Sequence, residues 1–507
     1  MTDQSPLITH TQEAAPPYIP RNHHCLTLDD IIEHCIGEFD WSQMLHAILI
    51  SFAWFFDAQQ TFISVFTDSQ PKWSCIHSSS SCDNANVCEL PRESWSWNLP
   101  ASTSTISEWS LECANPIIVG LPASSFFMGC LAGGFALATL ADSTLGRKNM
   151  LVVSSLVMSL SGVLAAVATN VWIYAALRFV CGFGRATIGT CALVLSTELV
   201  GKKWRGSAGI VGFLCFSLGF LSLPAEAYLL RGYSWRLIYL LTSVPSLLYS
   251  ILMYFAVQES PRWLFIKGRK EEFIQALRSI AGSKNRSRLT ESFFNETVNW
   301  GEKVQERDIY SAMKILLKKG SALRRIAAVM AVGFGVGMIY YGMPLGLGNL
   351  SFDLYLGVAL NALSEFPASF ITFFLIGKLN RKSSILGLTA VSGICSVACV
   401  LVRRKGIQMG LELVSFFSAC TATNVVLIYA LELFPTCVRN SAVSMVRQAV
   451  VLAGVLSPML VAAGKHNGLI SYGVFGVTIG LCGWFVVWLP ETKGRTLCDT
   501  MEEEEYI

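Results

Sequence analysis

The segment ELVGKKWRGSA at residues 198–208 has a counterpart in ELFPTCVRNSA at residues 432–442. In each segment an arginine follows the leading glutamate by seven positions, and the separation of the two glutamates is 432 − 198 = 234 residues. The dipeptide Arg-Lys at 147–148 recurs at 381–382, again with 381 − 147 = 234. Landmarks repeated at one spacing indicate a duplicated unit within the chain.

The composition indicates a membrane protein. Of the 507 residues 52% are hydrophobic and only 14% are charged, and the mean hydropathy is +0.49. Apolar runs of roughly twenty residues, the length that a helix needs to cross a bilayer, recur along the chain. The runs predict twelve spans, at 44–66, 115–141, 149–168, 171–198, 207–230, 235–256, 323–345, 352–377, 383–402, 408–432, 440–463 and 468–489.

The duplication divides these spans into two sets of six, and an even number gives both sets the same orientation. We therefore expect an all-α integral membrane fold of twelve transmembrane helices in two parallel six-helix repeats, with a binding site at their interface. The predicted parts are a cytosolic tail 1–43, a bundle 44–256 with a large extracytosolic loop 67–114, a cytosolic linker 257–322 with short helices, a bundle 323–489 and a tail 490–507.

Several function classes find no support in the sequence. The net charge of +3 gives no reason to expect nucleic-acid binding. The chain contains no GxxxxGK[ST] phosphate loop, no His/Cys cluster with metal spacing and no evident nucleophile–base pair. We expect a functional monomer in the lipid bilayer that is not an enzyme and needs no cofactor or metal.

Basic residues in the short loops set the orientation, because they favour the cytosolic side. Most of them fall after even-numbered spans, at 147–148, 202–205, 378–382 and 439, and this side should carry both termini and the linker. The cluster at 403–405 falls on the other side but is outnumbered.

The predicted extracytosolic loop contains four cysteines. An even number in a polar loop that faces an oxidising compartment favours two disulfides over four free thiols, and three pairings are open. The candidates are Cys75, Cys82, Cys88 and Cys113. Asn349 begins a glycosylation sequon on the same side of the membrane.

Acidic and basic residues recur at the cytosolic helix ends and suggest a gate that closes by ion pairing. The alternative is that they obey only the positive-inside rule, but their repetition at one offset favours the gate. The predicted gate residues are Asp142, Gly146, Arg147, Lys148, Glu198, Arg205, Glu432 and Arg439.

A charge at mid-membrane depth is costly and marks a functional site by default, and five ionisable residues are the clearest examples. They are Asp57, Arg185, Glu226, Glu365 and Arg447. An arginine at this depth costs at least about 2.5 kcal/mol. Some of these residues can instead be structural ion pairs, since two bases and three acids can satisfy one another.

Helical spacing brings Trp54, Asp57, Gln60 and Thr61 to one face of the first span, so this face should line a cavity. Asp57 can bind a cation or a coupling proton there. Aromatic rings at 340, 341 and 355 offer cation–π contacts from the second half, worth about 2 kcal/mol when dry. Ordinary helix packing remains the alternative for any single ring.

Three motifs resemble the major facilitator superfamily: the turn D…GRK that begins at Asp142, ESPRWLFIKGR at 259–269 and PETKGRTL at 490–497. Further segments resemble its organic cation, anion and carnitine transporters, and the plant organic cation/carnitine branch most of all. These segments are YYGMPLGLGNLSFDLYL at 340–356, EFP at 365–367 and IYALELFPTCVRN at 428–440. The resemblance covers nearly all of the chain from the first span to Leu497.

The resemblance implies a secondary active transporter of small organic cations or zwitterions such as carnitine, working by alternating access. A buried carboxylate such as Asp57 is what proton coupling needs, and sodium is the other candidate coupling ion. Two alternatives stay open: an organic anion transporter of the same fold, and a non-transporting sensor on this scaffold. In the family, Gly is usual where Ala138 and Asn380 stand here, and the second turn also lacks its acidic residue. The first turn should therefore be the stronger gate.

Arg447 is the predicted ligand of the anionic end of the substrate. In the resembled family, the residue seven positions before the proline of this helix tends to follow substrate charge. Here that residue is Val451. Arg447 precedes it by four residues, on the same helical face and about 6 Å nearer the cytosol. Asp57, Tyr340 and Tyr341 would face the ammonium end. The rival interpretation is a structural pair between Arg447 and Glu365.

The N-terminal sequence DQSPLI, residues 3–8, looks like an acidic dileucine sorting signal made of Asp3, Leu7 and Ile8. Such signals commonly direct plant proteins to the vacuolar membrane. We therefore favour that membrane over the plasma membrane.

Overall fold

The twelve predicted membrane helices are all present in a computed structural model of the chain. The structure describes residues 41–76, 86–137, 140, 145–281, 309–350, 352–375, 378–435, 438–465 and 467–493.

The N-terminal half contains the first six spans. The first is divided into Trp41–Ser51, Ala53–Phe62 and Ser64–Thr67, and the fourth into Val171–Arg185 and Ile188–Glu198. The others are Pro116–Ala136, Arg147–Ala165, Arg205–Leu229 and Trp235–Ala256. Several helices begin at a side-chain cap, such as Asn170, whose Oδ1 accepts from the backbone N–H groups of Trp172 and Ile173.

The C-terminal half repeats this arrangement. Its spans are Gly320–Gly346, Leu354–Leu375, Arg381–Leu401, Lys405–Leu433 and Arg439–Ala463, followed by a twelfth made of the π-helical turn Leu469–Gly473 and the helix Val474–Trp484. The 3₁₀ turns Leu347–Asn349 and Phe485–Trp488 extend the seventh and twelfth spans. The observed ends lie within a few residues of those expected, except that the second span ends at Ala136.

Short elements connect the spans. The linker between the halves contains the helices Pro261–Ile266, Lys270–Ile280 and Ile309–Lys318. The loop after the first span contains the antiparallel strands Trp73–Cys75 and Trp95–Trp97, and the helix Thr105–Glu108. Further 3₁₀ turns are Val87–Glu89, Arg92–Ser94, Ala101–Thr103 and Lys202–Trp204.

This loop is anchored to the first half. Cys88 and Cys113 form a disulfide, and Cys75 is disulfide-bonded as well, whereas Cys82 lies outside the described residues. Asp68, just after the first span, accepts hydrogen bonds of 3.0 Å from Thr105 Oγ1 and from Tyr174 Oη. Burial raises the pKa of Asp68 despite these donors. The loop therefore covers the outer end of the bundle.

Close helix contacts hold the second and fourth spans together. A Cβ atom on Gly182 would lie 1.8 Å from the carbonyl oxygen of Phe126, so only glycine permits this approach. Small residues at helix contacts allow the backbones to come together in a membrane, where no hydrophobic force drives association.

Candidate functional site

A cavity of about 240 Å³ lies between the two halves at mid-membrane depth. A larger cavity of about 720 Å³ adjoins it and extends to Arg147, at the predicted cytosolic end. The two share lining residues that include Thr187, Ser217 and Arg447. The small cavity is therefore continuous with a wide path toward that end. Its lining includes seven residues that the sequence singled out: Trp54, Asp57, Arg185, Tyr340, Tyr341, Glu365 and Arg447.

Asp57 is ion-paired rather than available. The Arg185 guanidinium donates from Nε to one Asp57 oxygen, and from Nη2 to the other at 3.5 Å. Asp57 is only 2% exposed. Arg185 is the last residue of its helix, and the interruption of the fourth span begins directly after it. The pair therefore neutralises itself within the N-terminal half, which argues against Asp57 as the partner of a substrate cation.

Glu365 has hydroxyl partners but no cationic one in the described part of the chain. Tyr340 Oη donates to Oε1 at 2.8 Å, and Ser217 Oγ donates to Oε2 at 3.0 Å. The bond from Ser217 crosses between the halves. These bonds fix the orientation of the carboxylate without cancelling its charge.

Arg447 lines both cavities. It interacts electrostatically with Tyr341, Arg185 and Asp57 but forms no hydrogen bond or ion pair with any residue that the structure describes. The rival prediction of an Arg447–Glu365 pair is therefore wrong for this structure, because the Glu365 oxygens accept from Tyr340 and Ser217 and no ion pair joins the two residues. A half-buried guanidinium without such a partner has five donors for an anionic group.

Other predicted contacts differ from the structure. Gln60 does not line the cavity, because its Nε2 donates to Thr242 and Ser243 of the sixth span, at 3.2 and 3.1 Å. The Thr61 hydroxyl donates to the carbonyl oxygen of Asp57 at 2.8 Å. Of the four residues on the expected polar face, Trp54 and Asp57 line the cavity, whereas Gln60 and Thr61 do not. The reason is that the first span is buried on all sides of its central turns.

Two further candidates lie away from the cavity. Tyr355 stacks on Phe66, with ring centroids 5.6 Å apart, nearer the outer end. Glu226 accepts a hydrogen bond of 2.7 Å from Gln59 Nε2 within the N-terminal half. Neither residue is among those that line the described cavities.

The gate residues of the first half form a network with the linker. Both Glu259 oxygens accept from backbone N–H groups at the start of the third span, those of Arg147 and Lys148, at 3.0 to 3.1 Å. The Ser260 hydroxyl donates to Glu198, and Arg147 Nε lies 3.9 Å from that carboxylate. The network therefore joins the third span, the fourth span and the linker of one half.

The second half repeats this network with the residues after its last span. Glu491 accepts from the backbone N–H groups of Arg381 and Lys382, at 2.9 and 3.1 Å. Thr492 Oγ1 donates to Glu432 at 2.6 Å, and the Arg381–Glu432 pair is 3.0 Å long. Burial acts to raise the pKa of Glu491, but the backbone donors outweigh it, so the pKa is lowered. This pair is closer than its counterpart at 3.9 Å in the first half.

The gate pairs Arg147–Glu198 and Arg381–Glu432 each lie within one half, whereas the outer end has contacts between the halves. Tyr355 packs on Phe66 and on Tyr228, and Lys465 Nζ donates to the Glu112 carbonyl oxygen at 3.0 Å. Burial lowers the pKa of Lys465. The molecule is therefore closed at the outer end and open at the end that carries the gate.

The remaining predicted residues lie either outside the described part of the chain or away from the cavity. Asp3, Leu7, Ile8 and Asp142 lie outside the described residues. Arg439 Nε donates to the Phe434 carbonyl oxygen at 3.2 Å, within its own half. Asn349 is exposed, and its Nδ2 donates to the Val461 carbonyl oxygen at 2.9 Å.

Comparisons with known proteins agree with this architecture. The Sugar (and other) transporter family matches residues 55–503. Organic cation/carnitine transporter 3 of Arabidopsis thaliana is 60% identical over 95% of this chain and 94% of its own length. Organic cation/carnitine transporter 2 of the same plant is 52% identical, over 99% and 96%.

The chain belongs to the organic cation/carnitine transporter family of the major facilitator superfamily. Because the members of this family are transporters, the chain is a transporter and not an enzyme. The fold is similar to that of the inward-open xylose transporter XylE from E. coli, with a TM-score of 0.61 at 19% identity over 91% of this chain and 98% of that one.

Two buried charged residues of this transporter were missed by the sequence reasoning. Arg178, 1% exposed, donates to the Gln60 carbonyl oxygen and to Ser64 Oγ, all at 3.2 Å. Glu412, 0% exposed, accepts from Asn361. Both fall inside predicted spans, so the rule that identified the other five ionisable residues would have found them.

Proposed function

We propose that this transporter carries small organic cations or zwitterions, with carnitine as the representative substrate, by alternating access. The two plant relatives are named for organic cations and carnitine, which supports this substrate class. The observation that carries the proposal is the charge pattern of the cavity. Asp57 and Arg185 cancel each other, which leaves an acid, Glu365, and a base, Arg447, without ionic partners among the described residues.

A zwitterion has a charge for each of these two groups. A carboxylate end can accept two parallel hydrogen bonds from the Arg447 guanidinium. A trimethylammonium end has no N–H to donate, so it is best recognised by negative charge and by aromatic faces. Glu365 offers the charge, and Trp54, Phe216 and Tyr340 line the same cavity. The ammonium end is therefore assigned to Glu365 rather than to Asp57.

Coupling to a proton is assigned to the Asp57–Arg185 pair. A proton on Asp57 would break the pair and change the charge of the N-terminal half of the cavity. Sodium is the alternative coupling ion. Comparing uptake with and without a proton gradient distinguishes sodium from the proton.

The test is uptake of labelled carnitine into proteoliposomes, with and without an inward proton gradient. We expect saturable uptake that the proton gradient increases and that excess choline inhibits. Stimulation by a sodium gradient alone would contradict the proton assignment. The absence of uptake for both cations and anions would favour the sensor alternative and contradict transport.

An organic anion is the second candidate, because two arginines, Arg185 and Arg447, line the cavity. Uptake of a dicarboxylate or an aromatic carboxylate that has no cationic group distinguishes an organic anion from a zwitterion as the substrate. If such an anion is taken up while carnitine and choline are not, the anion assignment replaces the zwitterion.

The vacuolar membrane is the proposed location, on the basis of the sequence DQSPLI. Replacing Leu7 and Ile8 by alanine in a fluorescent fusion should redirect the protein, most simply to the plasma membrane. A fusion that stays in place after this change does not use the signal.

A further inference from the structure

A buried carboxyl group lies in the C-terminal half, apart from the substrate cavity. Glu412 belongs to the tenth span and Asn361 to the eighth, and both are 0% exposed. Asn361 Nδ2 donates a hydrogen bond of 2.9 Å to Glu412 Oε1. Neither residue is among those that line the described cavities, so substrate contact does not account for an acid at this position.

Two acceptor atoms of this pair have no donor in the described part of the chain. They are Glu412 Oε2 and Asn361 Oδ1, and both are buried. A single proton would satisfy both, since a protonated Oε2 becomes a donor and Asn361 Oδ1 can accept from it. The result is a cyclic acid–amide pair with two hydrogen bonds, in place of one bond and two unsatisfied oxygens.

Among the residues that the structure describes, no positively charged group acts on Glu412 to stabilise a carboxylate. The titratable groups that interact with it are Cys399 of the ninth span, Cys420 of its own span and Tyr472 in the π-helical turn of the twelfth. All three are uncharged at neutral pH in their ordinary state. Within the described chain, the nearby Gln408 amide donates to the Cys399 carbonyl oxygen rather than to Glu412. An ionised carboxyl would be buried and unpaired, which proteins strongly disfavour.

We propose that Glu412 is a proton-binding site, occupied at neutral pH, whose proton holds the tenth span to the eighth. Asn361 precedes Glu365 by four residues, so the two lie about one turn apart on the same face of the eighth span. Loss of the proton would place a charge between these helices and loosen the one that carries Glu365. The site is independent of which solute the cavity binds.

The first test compares infrared spectra of the purified full-length protein and of the variant Glu412→Gln at neutral pH. The wild-type protein should show the C=O band of an un-ionised carboxylic acid that the variant lacks. The variant should fold with an unchanged Tm, because the glutamine amide can form both hydrogen bonds. If the substitution removes a carboxylate band, or prevents folding, the proposal is overturned.

The pH dependence of thermal stability supplies a second measurement. A folded state that holds a proton more tightly than the unfolded chain loses stability over the pH range in which the unfolded chain has released the proton and the folded protein still holds it. The Tm of the wild-type protein should therefore fall relative to that of Glu412→Gln as the pH rises above about 4.3, where an unfolded glutamate ionises, and the difference should level off once the folded protein also loses its proton. Parallel curves for the two proteins would contradict the proposal.

A swap of the two side chains is the matched control. Asn361→Asp alone opposes two carboxyl groups and should lower the Tm at neutral pH. Combining it with Glu412→Gln restores one acid and one amide with the same number of atoms. The double variant should regain the Tm and the carboxylic acid band. A double variant no more stable than Asn361→Asp would show that the acid–amide pair is not what the site requires.

Discussion

The guanidinium of Arg447 is the clearest candidate for substrate recognition, because it lines the cavity without an ionic partner among the described residues. Arg447→Lys keeps the charge but loses the planar pair of donors. A hydrogen bond to a charged group contributes about 1.5–3 kcal/mol, so we expect the KM for carnitine to rise about tenfold or more. The KM for choline, which lacks a carboxylate, should change little, and both are measured by uptake into proteoliposomes. An equal rise for both substrates would assign Arg447 to the structure of the bundle.

The ion pair between Asp57 and Arg185 admits a sharper test than either residue alone. Asp57→Asn leaves a buried cation unpaired, so gradient-driven accumulation should be lost whether Asp57 carries a proton or only holds Arg185. Adding Arg185→Gln removes the unpaired charge. If Asp57 carries the coupled proton, the double variant equilibrates substrate but does not accumulate it. Recovery of accumulation in the double variant would reduce the pair to a structural role.

The sequence identified these side chains but not their partners. Depth in an apolar run is a local property, and it marked Asp57, Arg185, Glu365 and Arg447. Pairing depends on which helix faces which, and Asp57 and Arg185 are 128 positions apart. The assignment of Gln60 to the cavity failed for the same reason, because the sixth span supplies its partners.

Whole helices were easier to predict, because the length of an apolar run is fixed by the bilayer and is visible in the chain. The ends were less certain where turns intervene, as at the second span. The duplicated landmarks also extend further than the sequence alone suggested. Glu259 and Glu491 cap the third and ninth spans in the same way, although their spacing, 491 − 259 = 232, differs from 234 by two residues.

The cap of the third span depends on Gly146. Its φ is +86°, a region that favours glycine, and a Cβ atom would lie 2.2 Å from Glu259 Oε2. Gly146→Ala should therefore displace Glu259 and lower the Tm of the purified transporter by several degrees. Gly206→Ala is the matched control, because the added Cβ meets nothing within 4 Å and alanine favours a helix. Equal Tm values for the two variants would show that the cap contributes little.

The arrangement of the two halves explains how the gate can work. Each network joins a helix pair to the linker or to the chain after the last span of its own half, so it stiffens that half as a unit. The halves then meet at the outer end and separate at the other. Alternating access requires the reverse arrangement as well, in which the cavity of about 720 Å³ closes.

The open end and the orientation can be tested together by labelling with a membrane-impermeant thiol reagent. Leu431 lines the large cavity and is 42% exposed, and Asp353 is exposed between the seventh and eighth spans. The labelling is done in membrane vesicles of both orientations, and mass spectrometry identifies the modified cysteine. Leu431→Cys should be modified from the cytosolic side. The control, Asp353→Cys, should be modified only from the other side. Excess carnitine should slow labelling of Leu431→Cys alone, because bound substrate favours occlusion. Modification of Leu431→Cys from the extracytosolic side only would show that the orientation is opposite to the predicted one. Equal labelling with and without carnitine would show that this cavity is not part of the transport path.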